Sequence, residues 1–253
     1  HITSDKDGNV YISDVRTKRI TKFCSKGKFE TMIKLNKDYI DTGTRIGVDS
    51  ENRIIVGCPV DGKLISVLDE NGNVINQYGT WLEFNWLDQP ELAIQAPYNK
   101  VHLCVDKSDN VYVAFLSHPV IRKYSPNGVL LFEQRFDKHP EILDCYEKYS
   151  VRMKETGNKP SSYYVINLAE GVYYDDENVY LYIAGYTPGK HVKKLLLEID
   201  SNNGNIINKY LLGSEKNEQD LLTVQPDIIA INESRAYGVD LGSITMSKYS
   251  LKK

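Results

Sequence analysis

Two tryptophans, three methionines, four cysteines and six phenylalanines are all that 253 residues contain of these types, and several diagnostic patterns are missing altogether. No apolar run approaches the roughly 20 residues that a membrane-crossing helix needs, so insertion by helices is excluded. No secretory leader stands at the start of the sequence as it begins at His1. Cys24, Cys58, Cys104 and Cys145 lie far apart with no Cys-x-x-Cys pair, which removes zinc-knuckle and thioredoxin-type chemistry. They read as small residues buried in strands rather than as a disulfide framework. A serine-nucleophile elbow, a phosphate-binding glycine loop and a dinucleotide fingerprint are all absent. There is no surplus of positive charge: 31 Lys and Arg face 34 Asp and Glu, for a net charge of -3. Electrostatic binding to nucleic acid or to an anionic membrane surface has no support from that balance.

What is present is tyrosine, 18 residues of it, as suits half-exposed strands whose phenol groups reach water. The opening stretch HITSDKDGNVYISD carries Asp5-Lys6-Asp7-Gly8-Asn9, which has the look of a calcium loop. Such a loop needs a glycine at its sixth position and a glutamate at its twelfth, and counting from Asp5 these are Val10 and Arg16. Val10-Tyr11-Ile12 favours a strand, so Asp7-Gly8 is read as a hairpin turn.

Internal similarity explains the stretch better. HITSDKDGNVYI (1–12) aligns without gaps to HLCVDKSDNVYV (102–113). RIGVDSENRIIV (45–56) fits the same frame, EGVYYDDENVYL (170–181) fits with a one-residue slip in its turn, and DIIAINESRAYG (227–238) fits more weakly. Third strands follow at Ile20–Phe23, Leu64–Val67, Ile121–Tyr124, Leu195–Ile199 and Ile244–Tyr249. In the first four copies a glycine turn leads to a fourth strand, near Phe29–Ile33, Val74–Tyr78, Val129–Phe136 and Ile206–Leu211. Four short antiparallel strands per repeat are the pattern of a β-propeller, in which blades stack around an axis because one blade cannot bury both its faces. The expectation is therefore an all-β, single-domain propeller over 1–253, with blades at about 1–36, 44–80, 100–137, 163–213 and 224–253. The fifth copy ends after its third strand. Its missing outer strand is expected from chain upstream of His1, in a six-bladed parent. One segment breaks the pattern: HPEILDCYEKYSVRMKETG (139–157) sets Ile142, Tyr146, Tyr149 and Met153 on one helical face, which predicts a helical insertion.

DGNVYISDVRTKRITKFCSKGKF (7–29) resembles an NHL-type repeat, and 109–132 and 51–75 resemble it less closely. The whole is similar to bacterial six-bladed NHL-like propellers, many of them exported, which implies a periplasmic, secreted or lipoprotein-anchored location. The motif specifies architecture and is almost silent on activity.

In a propeller the first strand of each blade lines the central channel. The repeat register puts His1, Arg45, His102, Glu170 and Asp227 at its starting end in the five blades. Five polar residues in one column predict a polar channel mouth, suited to a small polar ligand, a peptide end or a protein partner. His118 and His191 fall in loops between second and third strands, and His139 in a blade connection, all on the same side. The resemblance also covers amidating lyases, whose zinc is held by channel-facing histidines, and lactonase-like propellers with a channel metal. If a zinc or calcium ion were held, His1, His102 and His118 would be the donors, and Glu170 and Asp227 the carboxylates of a lactonase-like site. The favoured expectation is a binding propeller with neither cofactor nor catalytic residue. The alternatives are a metal-dependent lyase or hydrolase and a structural subunit of a larger assembly.

Overall fold

The computed structural model describes residues 1–14, 16–35, 45–83, 95–136, 138–140, 142, 168–184, 194–212, 228–232, 235–240 and 245–251. Their strands form four four-stranded antiparallel sheets and one of three strands, each a simple up-and-down meander. Blade 1 holds β1 (Ile2–Ser4), β2 (Val10–Asp14), β3 (Arg19–Phe23) and β4 (Phe29–Lys34). Blade 2 holds β5 (Ile46–Val48), β6 (Ile54–Val60), β7 (Lys63–Leu68) and β8 (Val74–Thr80). Blade 3 holds β9 (Val101–Val105), β10 (Val111–Phe115), β11 (Val120–Tyr124) and β12 (Leu130–Arg135). Blade 4 holds β13 (Ala169–Tyr174), β14 (Asn178–Ala184), β15 (Lys194–Asp200) and β16 (Ile206–Leu212). Blade 5 holds β17 (Ile228–Asn232), β18 (Arg235–Asp240) and β19 (Thr245–Ser250). The first strands β1, β5, β9, β13 and β17 are neighbours in that order, so they form the inner wall of a β-propeller.

The turn between the first two strands is built by one aspartate. Asp5 Oδ1 accepts the N–H groups of Asp7 and Asn9, while its Oδ2 accepts Asn9 Nδ2–H and the Tyr11 hydroxyl. Asp106 repeats the arrangement with Ser108, Asn110 and Tyr112, and Asp49 does so with Glu51 and Arg53. The turn thus spans Asp5 to Gly8, closed by Gly8 N–H to the Asp5 carbonyl, with Lys6-Asp7 central and Gly8 left-handed at φ 78°. That corrects the two-residue Asp7-Gly8 hairpin. It also removes the calcium reading physically, because the Asp5 carboxylate is taken up by donors of its own turn.

Strand alternation puts one face of each blade against the next. Tyr11, Ile20 and Ile33 of blade 1 meet Ile46, Ile54 and Val56 of blade 2, and Ile65 and Tyr78 of blade 2 meet Leu103 and Val113 of blade 3. Tyr112 and Ile121 of blade 3 meet Val172, Leu181 and Leu197 of blade 4, and Tyr182 and Leu196 of blade 4 meet Ala236 of blade 5. Blades 2, 3 and 4 each dock the glycine of their β3–β4-type turn on the predecessor's outer strand. A Cβ on Gly72 would come within 2.7 Å of Ile33, one on Gly128 within 2.6 Å of Tyr78, and one on Gly204 within 2.8 Å of Phe132. Gly27, their counterpart in blade 1, has nothing within 4 Å. On the same face of blade 1 Ile2 is 63% exposed among the described residues, where its counterparts Ile46, Leu103 and Val172 are 1%, 4% and 5% exposed.

Polar clamps tie blades 3 and 4 as well. The Ser201 carbonyl accepts both the Tyr112 hydroxyl (3.1 Å) and Lys123 Nζ–H (2.9 Å), and the Lys123 ammonium sits 4.9 Å from the Tyr112 ring centre. Of the expected helical insertion, His139, Pro140 and Ile142 are among the described residues: Pro140 and Ile142 have helical backbone, and Ile142 is fully buried against blades 3 and 4. Tyr146, Tyr149 and Met153 lie outside them. Cys24 and Cys104 are free thiols.

Candidate functional site

The starting ends of the inner strands bring the predicted polar column together around one arginine. Arg45 immediately precedes β5, held there because its carbonyl accepts Gly57 N–H. Its guanidinium then reaches across two further blades. Arg45 Nε–H donates to His102 Nδ1 at 2.7 Å, and Nη2–H donates to the Glu170 carbonyl at 3.3 Å. On the other side Ile46 N–H donates to His1 Nδ1 at 3.3 Å, and the His1 carbonyl accepts Ser13 N–H at 2.8 Å. Four blades are linked in this way through His1, Arg45, His102 and Glu170. Asp227 lies outside the described residues, as does His191.

His102 is buried in β9, and it holds the arginine as a neutral ring. Burial and then the positive charge of Arg45 push its pKa down to about 3, against the pull of a hydrogen bond to the Ala169 backbone. Because Nδ1 accepts from Arg45, the ring proton is on Nε2 and faces the Ala169 carbonyl. Both nitrogens are committed, one to the arginine and one to blade 4. The imidazole positions Arg45 and has no lone pair left for a metal ion.

Glu170 does not occupy the column as the register predicted. Strand β13 pairs Ala169 with Ile183 and Gly171 with Tyr182, so Glu170 is the extra residue of a bulge. The Asp175–Asn178 turn is one residue shorter than its counterparts, and counting back from Asn178 therefore lands one residue early. The position equivalent to His1, Arg45 and His102 is Gly171. What Glu170 offers Arg45 as a hydrogen-bond acceptor is its carbonyl; its carboxylate acts on the guanidinium through its charge. The bare Gly171 leaves room for Tyr173, whose hydroxyl lies where a Gly171 side chain would begin. Tyr173 is the site residue that sequence reasoning missed. It stands two residues along the strand on the same face, a relation the repeat alignment contains but that matters only because Gly171 has no side chain.

His1, His102 and His118, named as the donors if an ion were held, are not brought together as a group. Among the described residues no group of three or more His, Cys, Asp and Glu is placed to bind one ion. His118 is in the β10–β11 loop as expected, buried, with its pKa lowered to about 3 by desolvation and by the charge of Arg135. The acidic residues Asp175-Asp176-Glu177 form the turn after β13, with Asp176 and Glu177 exposed.

Arg45 itself has its pKa lowered by burial, opposed by the nearby Tyr173 and Glu170. The two hydrogen-bond acceptors it has among the described residues, His102 and the Glu170 carbonyl, are neutral, while the Glu170 carboxylate acts on it through its charge. On the opposite face, a cleft between blades 2 and 3 is lined by Asp49, Arg53, Tyr78 and Asp109. Its carboxylates are already occupied, Asp49 by Arg53 and Asp109 by Ser50.

No family model and no curated protein matches the chain. Solved structures do match, and they are six-bladed β-propellers. A gluconolactonase from Xanthomonas campestris aligns with 97% of this chain and 69% of its own, at 12% identity and a TM-score of 0.55. Virginiamycin B lyase from Staphylococcus aureus, in an inactive variant with quinupristin, aligns with 99% of this chain and 69% of its own, at 12% identity and TM-score 0.54. A protein of unknown function from Bacteroides caccae gives 99%, 77%, 12% and 0.53 for the same measures. Against another structure of the Staphylococcus lyase this chain spans 60% of the length. At such identities the likeness shows the propeller fold and nothing of the chemistry.

Proposed function

We propose that this chain is a non-enzymatic, NHL-like binding propeller, working outside the cytoplasm, whose channel-mouth face takes a small polar ligand or the polar end of a protein partner. One observation carries the reading: Arg45 is fixed across three blades by hydrogen bonds to His102 and the Glu170 carbonyl. A cation held rigidly at a channel mouth is a recognition group, since its orientation is settled before a ligand arrives. The histidine beside it, which a lyase reading would need as base or metal donor, is committed at both nitrogens.

The direct test is a thermal-shift and calorimetric screen of small polar compounds and peptides against the chain and its Arg45→Gln variant. Binding is expected to fall by about tenfold or more in the variant, the loss of about 1.4 kcal/mol or more that a charge-assisted hydrogen bond carries. Hits that bind both proteins equally would move the site away from the channel mouth. Metal analysis of the purified protein checks the rival: stoichiometric zinc, calcium or iron at the channel would favour a lyase or hydrolase.

A further inference from the structure

We propose that the cleft between blades 2 and 3, on the face opposite the channel mouth, binds a primary ammonium on a short apolar stem. It is a second site, independent of Arg45. The cleft exists because two residue types are missing from one repeat. Tyr11 pairs with Lys22 across β2 and β3, and Tyr112 pairs with Lys123 across β10 and β11. The same cross-strand pair in blade 2 is Ile55 with Val67. In blade 3 the tyrosine and lysine fill the junction with the next blade. The Tyr112 hydroxyl and Lys123 Nζ–H both donate to the Ser201 carbonyl, and the ammonium lies 4.9 Å from the Tyr112 ring centre. In blade 1 the Lys22 ammonium lies 5.5 Å from the Tyr11 ring centre. Ile55 and Val67 carry neither phenol nor ammonium, and a volume of about 200 Å³ is left between blades 2 and 3. Such a space is smaller than a drug-sized site and suits one side chain or a fragment.

The walls of the cleft suit the group that is missing. Pro126 lines it and is the second residue of the β11–β12 turn, as Ser201 is of the β15–β16 turn. Its carbonyl therefore stands where the Ser201 carbonyl takes the tyrosine and lysine donors, and among the described residues it accepts no hydrogen bond. Tyr78, only 7% exposed, also lines the cleft, and its hydroxyl has no hydrogen bond among the described residues. The charges of Asp49 and Arg53 act on that hydroxyl, which places it toward the ionic end. Charge selects in the same sense. Asp49, Glu51 and Asp109 stand against one guanidinium, Arg53, which Asp49 and Glu51 hold. Asp109 takes two donors, the Ser50 N–H and hydroxyl, and a carboxylate has about four acceptor positions. A bound ammonium thus finds acceptors in Asp109 and the Pro126 carbonyl, with its stem on Ile55, Val67 and Val111. A carboxylate ligand would meet a surplus of its own charge, and an alcohol would leave that charge unused. A lysine side chain of a partner and a free alkylamine both carry the required group.

The experiment titrates the chain with n-butylammonium and with Nα-acetyl-lysine methylamide, against 1-butanol and butyrate, reading the Ile55 and Val111 methyl resonances by NMR. The two ammonium probes are expected to shift these methyls saturably, with butanol at least about tenfold weaker and butyrate silent. Tighter binding of the lysine derivative than of butylammonium assigns the group to a partner's lysine; equal or weaker binding assigns it to a free amine. Val67→Lys supplies the missing ammonium from the chain itself and is expected to weaken both probes about tenfold or more. Should that variant fail to fold, Asp109→Asn carries the test, since asparagine tolerates the φ of 62° at this position. It is expected to weaken the ammonium probes about three- to tenfold and to leave butanol unchanged. Butanol or butyrate binding as tightly as butylammonium overturns the proposal. Unchanged probe affinity in either variant, or methyls that move with neither ammonium probe, overturns it as well. None of these outcomes touches the channel-mouth reading, which is tested through Arg45.

Discussion

His102 and His118 are two rings that fold in the neutral state, and that has a consequence for pH. Both have folded pKa values near 3, well below the ordinary 6.5, with desolvation the largest cause in each. The unfolded chain takes up protons first as pH falls, so the stability these rings contribute is complete above about pH 6.5 and declines from there toward pH 3. Each ring should cost about 1.4 kcal/mol per pH unit within that window. Urea midpoints at pH 7.5 and 5.5 are expected to fall accordingly, and His102→Gln should remove one ring's share of the slope. An unchanged slope in that variant would mean His102 is protonated when folded. The repeat-turn aspartates are the other residue-scale determinants. Asp106 accepts from Ser108, Asn110 and Tyr112 while itself buried, so Asp106→Ala should destabilise by about 1–3 kcal/mol in denaturant melts.

At the scale of the element, the glycines of the turns before β4, β8, β12 and β16 separate local from tertiary causes. Gly27, Gly72, Gly128 and Gly204 all have positive φ, between 75° and 85°, so each is a turn requirement the sequence announces. Only the last three also carry the preceding blade's outer strand. Replacing Gly27 with alanine should therefore cost about 1–2 kcal/mol of backbone strain alone. The same change at Gly72, Gly128 or Gly204 should cost a further 1–3 kcal/mol or so of overpacking. Equal midpoint shifts in urea for the four variants would contradict this packing account. The bulge in β13 belongs at this scale too: its extra residue moves Glu170 out of the inward column and lets Tyr173 cover Gly171.

At the scale of the blades, each of blades 2 to 5 buries what its predecessor offers, and among the described residues none packs on the corresponding face of blade 1. Ile12 is 38% exposed, where the corresponding Val56, Val113 and Leu181 are 0%, 0% and 2% exposed. Local opening free energy follows buried apolar contact, so the blades should not open equally. Native-state hydrogen exchange is expected to show the amides of β2 and β3 exchanging about tenfold or more faster than those of β10 and β11. Uniform protection across the two blades would show that burial is not what governs their opening.

The architecture was legible in the residues because it is a local pattern repeated. Strand alternation, an aspartate that satisfies its own turn, and glycines where φ is positive act within ten residues, and their recurrence predicted the observed third and fourth strands to within one or two residues. Which residues share the starting end of the inner strands also followed from register, as His1, Arg45 and His102 show. Glu170 escaped, because a shortened turn and a bulge shift the count without changing the pattern of residue types. What only the tertiary structure decided is how the column is wired: Arg45 to His102 and Glu170 across 57 and 125 residues, and His102 locked neutral between blades. Those bonds depend on the rotation from blade to blade, which sets how far a side chain must reach. That rotation comes from packing between faces, and no single repeat contains it.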